Sequence, residues 1–424
     1  MENKIISRIT TKNYRNLVNE EGIVLNNLNI LIGSNGSGKS NLVALLEFFK
    51  NCLMPASDLD SKGITAFQDA LSKLRHNILD ASIKKPAKVN LKIEFHNLPL
   101  FNTTTFFLAV YIGKSTYITD ESLQYTKDSK IPFIYYKTHN PQGGKGIISL
   151  NNKTNKGYRT KRLSQIPVDE LSLLSIPKLL TEEGTFPPEQ VPLYKIHRDL
   201  REAVQKWQFY NANEMDLVKI RGANPKIGLG DVILAKSCEN LPTVLDNIIN
   251  HIKYGIDFDE RINNAMKEIL PMTKRIKTTR EGMSLSVQWY FDGMETPFYL
   301  DDMSDGTVRM LCWAIILHSP ILPSLLVIDE PELSLHIAWM GILANWIKQA
   351  SQRTQIIIST HSPDLLDYFT DCSADVICFE KTQLKGHFKA KKLPENILQE
   401  KLAEGWQLGD LYRIGDDIIG GWPW

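Results

Sequence analysis

The sequence has no Cys-x-x-Cys pair. Its five cysteines, Cys52, Cys238, Cys312, Cys372 and Cys378, are odd in number and irregularly spaced. That argues against a zinc site or a disulfide framework and for a reducing, cytoplasmic setting. It also lacks a long apolar run. The most apolar stretch, residues 311–328, is broken by His318, Ser319, Pro320, Pro323 and Ser324, whereas a membrane span needs about 20 nearly unbroken apolar residues. A buried helix followed by a buried strand is expected there, with no membrane partner. The opening MENKIISRIT has no apolar core of a signal peptide. Net charge is nearly absent: 49 Lys and Arg stand against 48 Asp and Glu, for +1 overall. Any contact with nucleic acid must therefore come from local basic clusters. Internal repeats, low-complexity tracts and sustained heptads are missing, which excludes a long coiled-coil arm.

What is present suits a globular chain with a sizeable core: 424 residues, 43% hydrophobic and 23% charged. Apolar runs at residues 23–25 and 28–32 precede a Gly-rich loop. A helix follows, with Leu42, Leu45, Leu46 and Phe49 on one face. Residues 88–96 alternate apolar and polar side chains, which predicts a half-buried antiparallel strand. Further strands are expected at 106–112, 133–137 and 146–150, and a flexible loop at 151–165. Helical stripes run through Leu193–Trp207, Leu241–Ile252 and Ile262–Leu270. Alternation returns at 284–291. Helix 306–318, strand 325–328, helix 337–350 and strand 355–359 then predict a parallel sheet covered on both faces.

Three motifs carry chemistry. Residues 33–40 read GSNGSGKS after a strand and before a helix, a complete phosphate-binding loop. Gly33, Ser34, Asn35, Gly36, Ser37 and Gly38 form a loop whose N–H groups can turn inward on phosphate oxygens. The helix opened by Lys39, Ser40 and Asn41 adds its dipole. Lys39 is expected to reach the β- and γ-phosphates of ATP, and Ser40 to hold Mg²⁺. Residues 325–330, LLVIDE, place two carboxylates at the end of a buried strand. Asp329 is the candidate Mg²⁺ ligand and Glu330 the candidate general base for an attacking water. Residues 355–362, QIIISTHS, end a second buried strand in Thr360 and His361, where the imidazole is placed to sense a γ-phosphate. His318 has no such context and reads as structural.

The order of phosphate loop, LLVIDEPE, SLH and STHSP resembles the ABC-type ATPases of the RecF, SMC and OLD group, and most closely the single-chain bacterial ATPases that share an SDGT signature. The likeness covers residues 1–50 and 284–365. It implies an α/β fold: a P-loop NTPase ABC-type head with a mixed central sheet, an antiparallel β lobe and a helical insertion. It further implies that the segment Met303-Ser304-Asp305-Gly306-Thr307 completes the site of a second subunit, with Ser304, Asp305 and the amides around Gly306 facing the partner's γ-phosphate. Read alone, the same residues are a plain helix cap. Ser334-Leu335-His336 resembles the segment that crosses the dimer interface. Tyr14-Arg15-Asn16 resembles the family's Phe-Arg segment, in which Arg15 either touches phosphate or is a solvated hairpin charge. Gln68 is a Q-loop candidate by order alone.

The expected divisions are 1–160, the first part of the head; 161–282, a helical insertion; 283–395, the rest of the head; and 396–424, a tail with Trp406, Trp422 and Trp424. Residues 362–424 are too few for a typical domain of ~100–200 residues, so no built-in nuclease of the OLD kind is expected. The LSGGQ-type signature of transporters is absent. The implied protein is an Mg²⁺-dependent ATPase that forms a homodimer through composite ATP sites, with room for a higher oligomer. DNA is a candidate partner through basic clusters at Lys153–Arg162, Lys274–Arg280 and Lys385–Lys392. The implied role is a DNA-associated sensor or clamp controlling a separately encoded effector in antiphage defence. The alternatives are a RecF-like repair ATPase and a non-hydrolysing ATP-gated scaffold.

Overall fold

The structure, a computed structural model, describes residues 4–54, 64–74, 78–98, 101–125, 132–140, 144–154, 157–184, 187–222, 230–281, 284–384 and 386–419. The chain divides into two compact units. One comprises Met1–Trp207, Asp375–Pro394 and Asp417–Trp424, the other Gln208–Ala374 and Glu395–Asp416. The fold is α/β, with a mixed sheet, an antiparallel lobe and a helical stretch, as the sequence led us to expect.

The first unit opens with the hairpin β1 (Ile6–Tyr14) and β2 (Leu17–Val24). The strand β3 (Leu28–Ile32) follows, then α1 (Lys39–Cys52) and α2 (Ala66–Lys73). All five residues of β3 are buried, four of them apolar; the fifth, Asn29, is satisfied by Asn26, accepting from its N–H and donating to its carbonyl at 2.8 Å. The predicted stripe of α1 is buried as well, and Phe49 lies against Phe95, Phe106 and Trp207 with ring centroids 4.9–5.9 Å apart. An antiparallel meander comes next: β4 (Ala87–Leu98), β5 (Phe101–Ile112), β6 (Thr116–Tyr125), β7 (Phe133–His139), β8 (Lys145–Thr154) and β9 (Gly157–Leu163). Helices α3 (Ser172–Glu183) and α4 (Pro192–Gln205) complete this part.

The second unit begins with β10 (Gln208–Asn211), α5 (Leu217–Gly222), α6 (Leu241–Ile249) and α7 (Gly255–Ile269). It continues through β11 (Thr273–Glu281), β12 (Ser284–Phe291), β13 (Phe298–Tyr299), α8 (Asp305–His318), β14 (Leu325–Asp329), α9 (Met340–Ser351), β15 (Gln355–Ser359) and α10 (Pro363–Asp367). The chain returns to the first unit for β16 (Val376–Lys381) and β17 (Phe388–Lys392), and to the second for α11 (Glu395–Ala403) and α12 (Leu408–Ile414). Strand order in the first unit is β3-β16-β17-β2-β1-β4-β5-β6-β7-β8-β9. The β3/β16 and β17/β2 pairs are parallel and the others antiparallel. The second unit holds the parallel set β10-β14-β15 and the antiparallel set β11-β12-β13.

Several sequence expectations need correction. The presumed loop at 151–165 contains the end of β8 and all of β9. The basic residues of β9 hid a strand that pairs antiparallel with β8 at Gly146↔Leu163. Strand β11, not expected from the sequence, carries the cluster at Lys274–Arg280; there Arg275 pairs with Asp259 at 2.7 Å and Arg280 with Asp246 at 3.0 Å. Strand β6 escaped notice because Asp120, Glu121 and Ser122 break its apolar pattern. Glu121 is nevertheless fully buried: its carboxylate accepts from Tyr136 Oη at 2.5 Å, Ser172 N at 2.6 Å and Leu173 N at 2.9 Å, capping α3. In the tail, Trp406 is at the surface under Lys401 Nζ, 5.6 Å from its ring. Trp422 and Trp424 lie outside the described residues, as does Lys385.

Candidate functional site

In the first unit, the phosphate loop joins β3 to α1. Gly33, Gly36 and Gly38 all have positive φ, at 142°, 76° and 103°, a backbone region that L side chains rarely adopt. At Gly33 a Cβ would also meet the carbonyl oxygen of Phe379 on β16 at 2.9 Å. Gly38 precedes α1 and no side chain caps the helix; its first turn holds no acidic residue. No side chain therefore offsets the positive end of the α1 dipole at this loop. Lys39 is buried, and its Nζ donates to Gly33 O at 2.6 Å and Ser34 O at 3.1 Å. Ser34, Asn35, Gly36 and Ser40 remain accessible to different degrees.

A hydrogen-bond chain braces this loop from the turn between β1 and β2. Arg15 Nη1 donates to Asn41 Oδ1 at 2.7 Å, Asn41 Nδ2 to Asn16 Oδ1 at 2.7 Å, and Asn16 Nδ2 to Gly36 O at 2.7 Å. Arg15 Nη2 also donates to Leu74 O at 2.9 Å. The Arg15 guanidinium and the Asn41 amide are thus engaged with the chain itself at the loop. Gln68 forms the capping box of α2 with Thr65 and donates to Asp169 at 3.3 Å.

In the second unit, β14 ends in Asp329 and the backbone turns sharply. Glu330 has φ 51°, a left-handed conformation of the kind that clusters at functional sites. Neighbouring strands hold the Asp329 carboxylate, and the turn after β10 holds that of Glu330. Asn211, opposite Asp329 on β10, donates from Nδ2 to Asp329 Oδ2 at 2.8 Å. Ser359, opposite it on β15, donates to Asp329 Oδ1. Asn213 Nδ2 donates to Glu330 Oε2 at 3.1 Å, and the Glu330 N–H donates to Ser359 O at 3.0 Å. His361 Nε2 stands 3.8 Å from Glu330 Oε1. Glu332 ties the two strand ends together: its Oε1 accepts from Thr360 Oγ1 at 2.6 Å, His361 N at 3.1 Å and Ser362 N at 3.2 Å. Burial pushes the Glu332 carboxyl above the usual range, against those donors. His318 sits apart, its ring edge-on to Trp346, and burial pushes its pKa down to about 4.

The SDGT segment also lies in this unit. Ser304 caps α8, its Oγ accepting from Thr307 N at 3.3 Å. Ser304 and Asp305 are exposed, while Thr307 and Val308 are buried. A Cβ on Gly306 would meet Trp339 at 3.0 Å and Ser334 O at 3.2 Å, so the signature packs against the Ser334–Leu335–His336 segment. His336 itself caps the turn at Ile337–Trp339 through its Nδ1, which accepts from Ala338 N at 3.2 Å.

The residues fit a nucleoside triphosphate. Ser37 Oγ is buried with no hydrogen-bond partner among the described residues, and a Cβ on Gly36 would meet nothing within 4 Å. A phosphate would supply the missing acceptor. They also fit Mg²⁺. No group of three or more His, Cys, Asp or Glu side chains gathers as a metal cage among the described residues. Mg²⁺ typically takes one or two protein oxygens and completes its shell with substrate phosphates and water. Sequence reasoning missed Asn211, Asn213, Glu332 and Ser359. Each acts on a residue distant along the chain, Asn211 on one 118 positions away. The local trace was the segment WQFYN at 207–211, which loosely resembles the family and ends in Asn211.

A search of curated protein sequences finds no match. Similar solved structures include an SMC head bound to the C-winged helix domain of ScpA, at TM-score 0.49 and 15% identity over 91% of this chain and 97% of that one. Another is the SMC head domain from Thermotoga maritima, at 0.43 and 11% over 92% and 99%. A third is an Smc head domain with an extended coiled coil bound to the C-terminal domain of ScpA, derived from Pyrococcus furiosus, at 0.47 and 14% over 94% and 99%. A family model described as "AAA domain, putative AbiEii toxin, Type IV TA system" matches residues 130–367, more than half of the 424 residues, and the chain belongs to that family.

Proposed function

We propose that this ATPase domain binds ATP with Mg²⁺, hydrolyses it at a site completed by a second copy of the chain, and so controls a separately encoded effector in response to DNA. The observation that supports this most is the end of β14. There a held carboxylate, Asp329, adjoins a second carboxylate, Glu330, set in a left-handed turn with His361 at 3.8 Å.

Lys39 and the loop N–H groups bind the β- and γ-phosphates, and Ser40 and Asp329 offer the two protein oxygens for Mg²⁺. Mg²⁺, when bound, neutralises charge on the phosphate oxygens. Glu330 accepts a proton from water as that water attacks the γ-phosphorus in line with the departing bridging oxygen. Asn213 orients Glu330, and His361 senses the γ-phosphate. Ser304 and the N-terminal amides of α8 meet the γ-phosphate bound by the other copy. The γ-phosphate then holds two copies together, and its loss releases them.

We place this cycle in the cytoplasm and in bacterial antiphage defence. The family description, which names a toxin and a TA system, supports a separate partner protein. No described helix is long and apolar enough to cross a membrane. Phosphate release measured with and without DNA tests the reading. Mg²⁺-dependent release supports it. DNA-stimulated turnover that needs no partner would favour a RecF-like repair ATPase. ATP binding with no release would favour a non-hydrolysing scaffold.

A further inference from the structure

We propose that Arg221 is the positioning residue of the SDGT segment, shaping it and cancelling its negative charge so that it can accept a second copy's γ-phosphate. This rests on the two-copy reading above. Arg221 lies near the end of α5, far from the signature in sequence. Its guanidinium nevertheless makes three contacts there: Nε to Leu300 O at 3.3 Å, Nη2 to Met303 O at 2.8 Å and Nη2 to Asp305 Oδ1 at 2.7 Å. Two of these fix the carbonyls of the turn that delivers Ser304, the N-cap of α8. The third faces the carboxylate in the first turn of α8.

Folding stability is a poor explanation for the ion pair. The Asp305 side chain is 63% exposed, and pairs of that kind contribute little. An acidic residue in the first helical turn suits the dipole of α8 by itself. The same carboxylate is a liability if a phosphate must dock there, because like charges at close range repel strongly. A guanidinium held on Asp305 removes the repulsion and leaves the N–H groups of α8 to attract the anion. Arg suits the task better than Lys because its planar fork holds two acceptor sets at once.

The test measures ATP-dependent dimerisation in a Glu330→Gln background, so that hydrolysis does not dissolve the complex. If that parent stays monomeric with ATP, the two-copy reading itself fails before Arg221 is altered. If it dimerises, Arg221→Gln should weaken the dimer by about tenfold or more, with ATP affinity of the monomer and the melting midpoint nearly unchanged. Adding Asp305→Asn should restore much of that loss, a rescue that a purely structural role would not give. Parental dimer affinity in Arg221→Gln, or a loss that Asp305→Asn leaves untouched, overturns the proposal. Should Arg221→Gln fold poorly, Arg221→Lys decides. It keeps the charge and loses the fork, so a several-fold weaker dimer is expected, and parental affinity again overturns the proposal.

Discussion

Asn211 and Asp329 stand opposite each other on neighbouring parallel strands, and the Asn211 amide donates to Asp329 Oδ2 at 2.8 Å. With Ser359 on the other side, the carboxylate is fixed from two strands at once. Such outer partners typically matter about 10–100-fold for metal affinity or activity. Asn211→Ala is therefore expected to lower ATP turnover by about that factor and to raise the Mg²⁺ concentration needed for half-maximal rate. Nucleotide affinity without Mg²⁺ should hold. Wild-type turnover at limiting Mg²⁺ would remove Asp329 from the metal site.

Ser304 separates capping from ligand binding. Its Oγ caps α8 through Thr307 N, and aspartate caps about as well as serine. Ser304→Asp should therefore keep the melting midpoint, within about 1 kcal/mol of stability. It should also abolish ATP-dependent dimerisation, because a new carboxylate would face the γ-phosphate. Light scattering with ATP reads this directly. A normal dimer would reduce the segment to a plain helix cap.

The parts of the site that sequence revealed are those whose chemistry is written locally. The loop at 33–40 needs glycines at set positions, and positive φ at Gly33, Gly36 and Gly38 bears this out. Asp329 ends one strand and His361 follows another, and the buried apolar runs of β14 and β15 announced them. Strand β10 offered only four residues, two of them buried. Its importance comes from pairing with β14, which no local pattern encodes. Strand β11 was hidden by its charges, since few of its side chains are buried. Glu121 broke the alternation of β6 because it turns inward to cap α3, a role set by tertiary structure.

That inward carboxylate has a pH signature. Burial pushes Glu121 up to about 7, although Tyr136 and the Ser172 and Leu173 N–H groups pull it down. The folded state thus binds the proton more tightly than the unfolded chain does, near 4.5. Its favourable contribution is full below pH 4.5 and is lost as pH rises through about 7. The change is of the order of 3 kcal/mol. Chemical denaturation at pH 5 and pH 8 should show a larger loss in wild type than in Glu121→Gln. The variant should be less stable at pH 5, since its amide turns an N–H toward another donor, at about 1–3 kcal/mol. Equal pH slopes in the two proteins would show that Glu121 does not titrate there.

In the proposed cycle one γ-phosphate joins two copies of this chain, with Glu330 needed only to cleave it. Glu330→Gln keeps the shape of the side chain and loses the base. Light scattering of this variant with ATP and Mg²⁺, beside a Lys39→Ala control, separates joining from cleavage. A stable dimer that forms with ATP, not with ADP, and not in Lys39→Ala is the expected result. A monomer under saturating ATP would mean that the γ-phosphate does not join two copies.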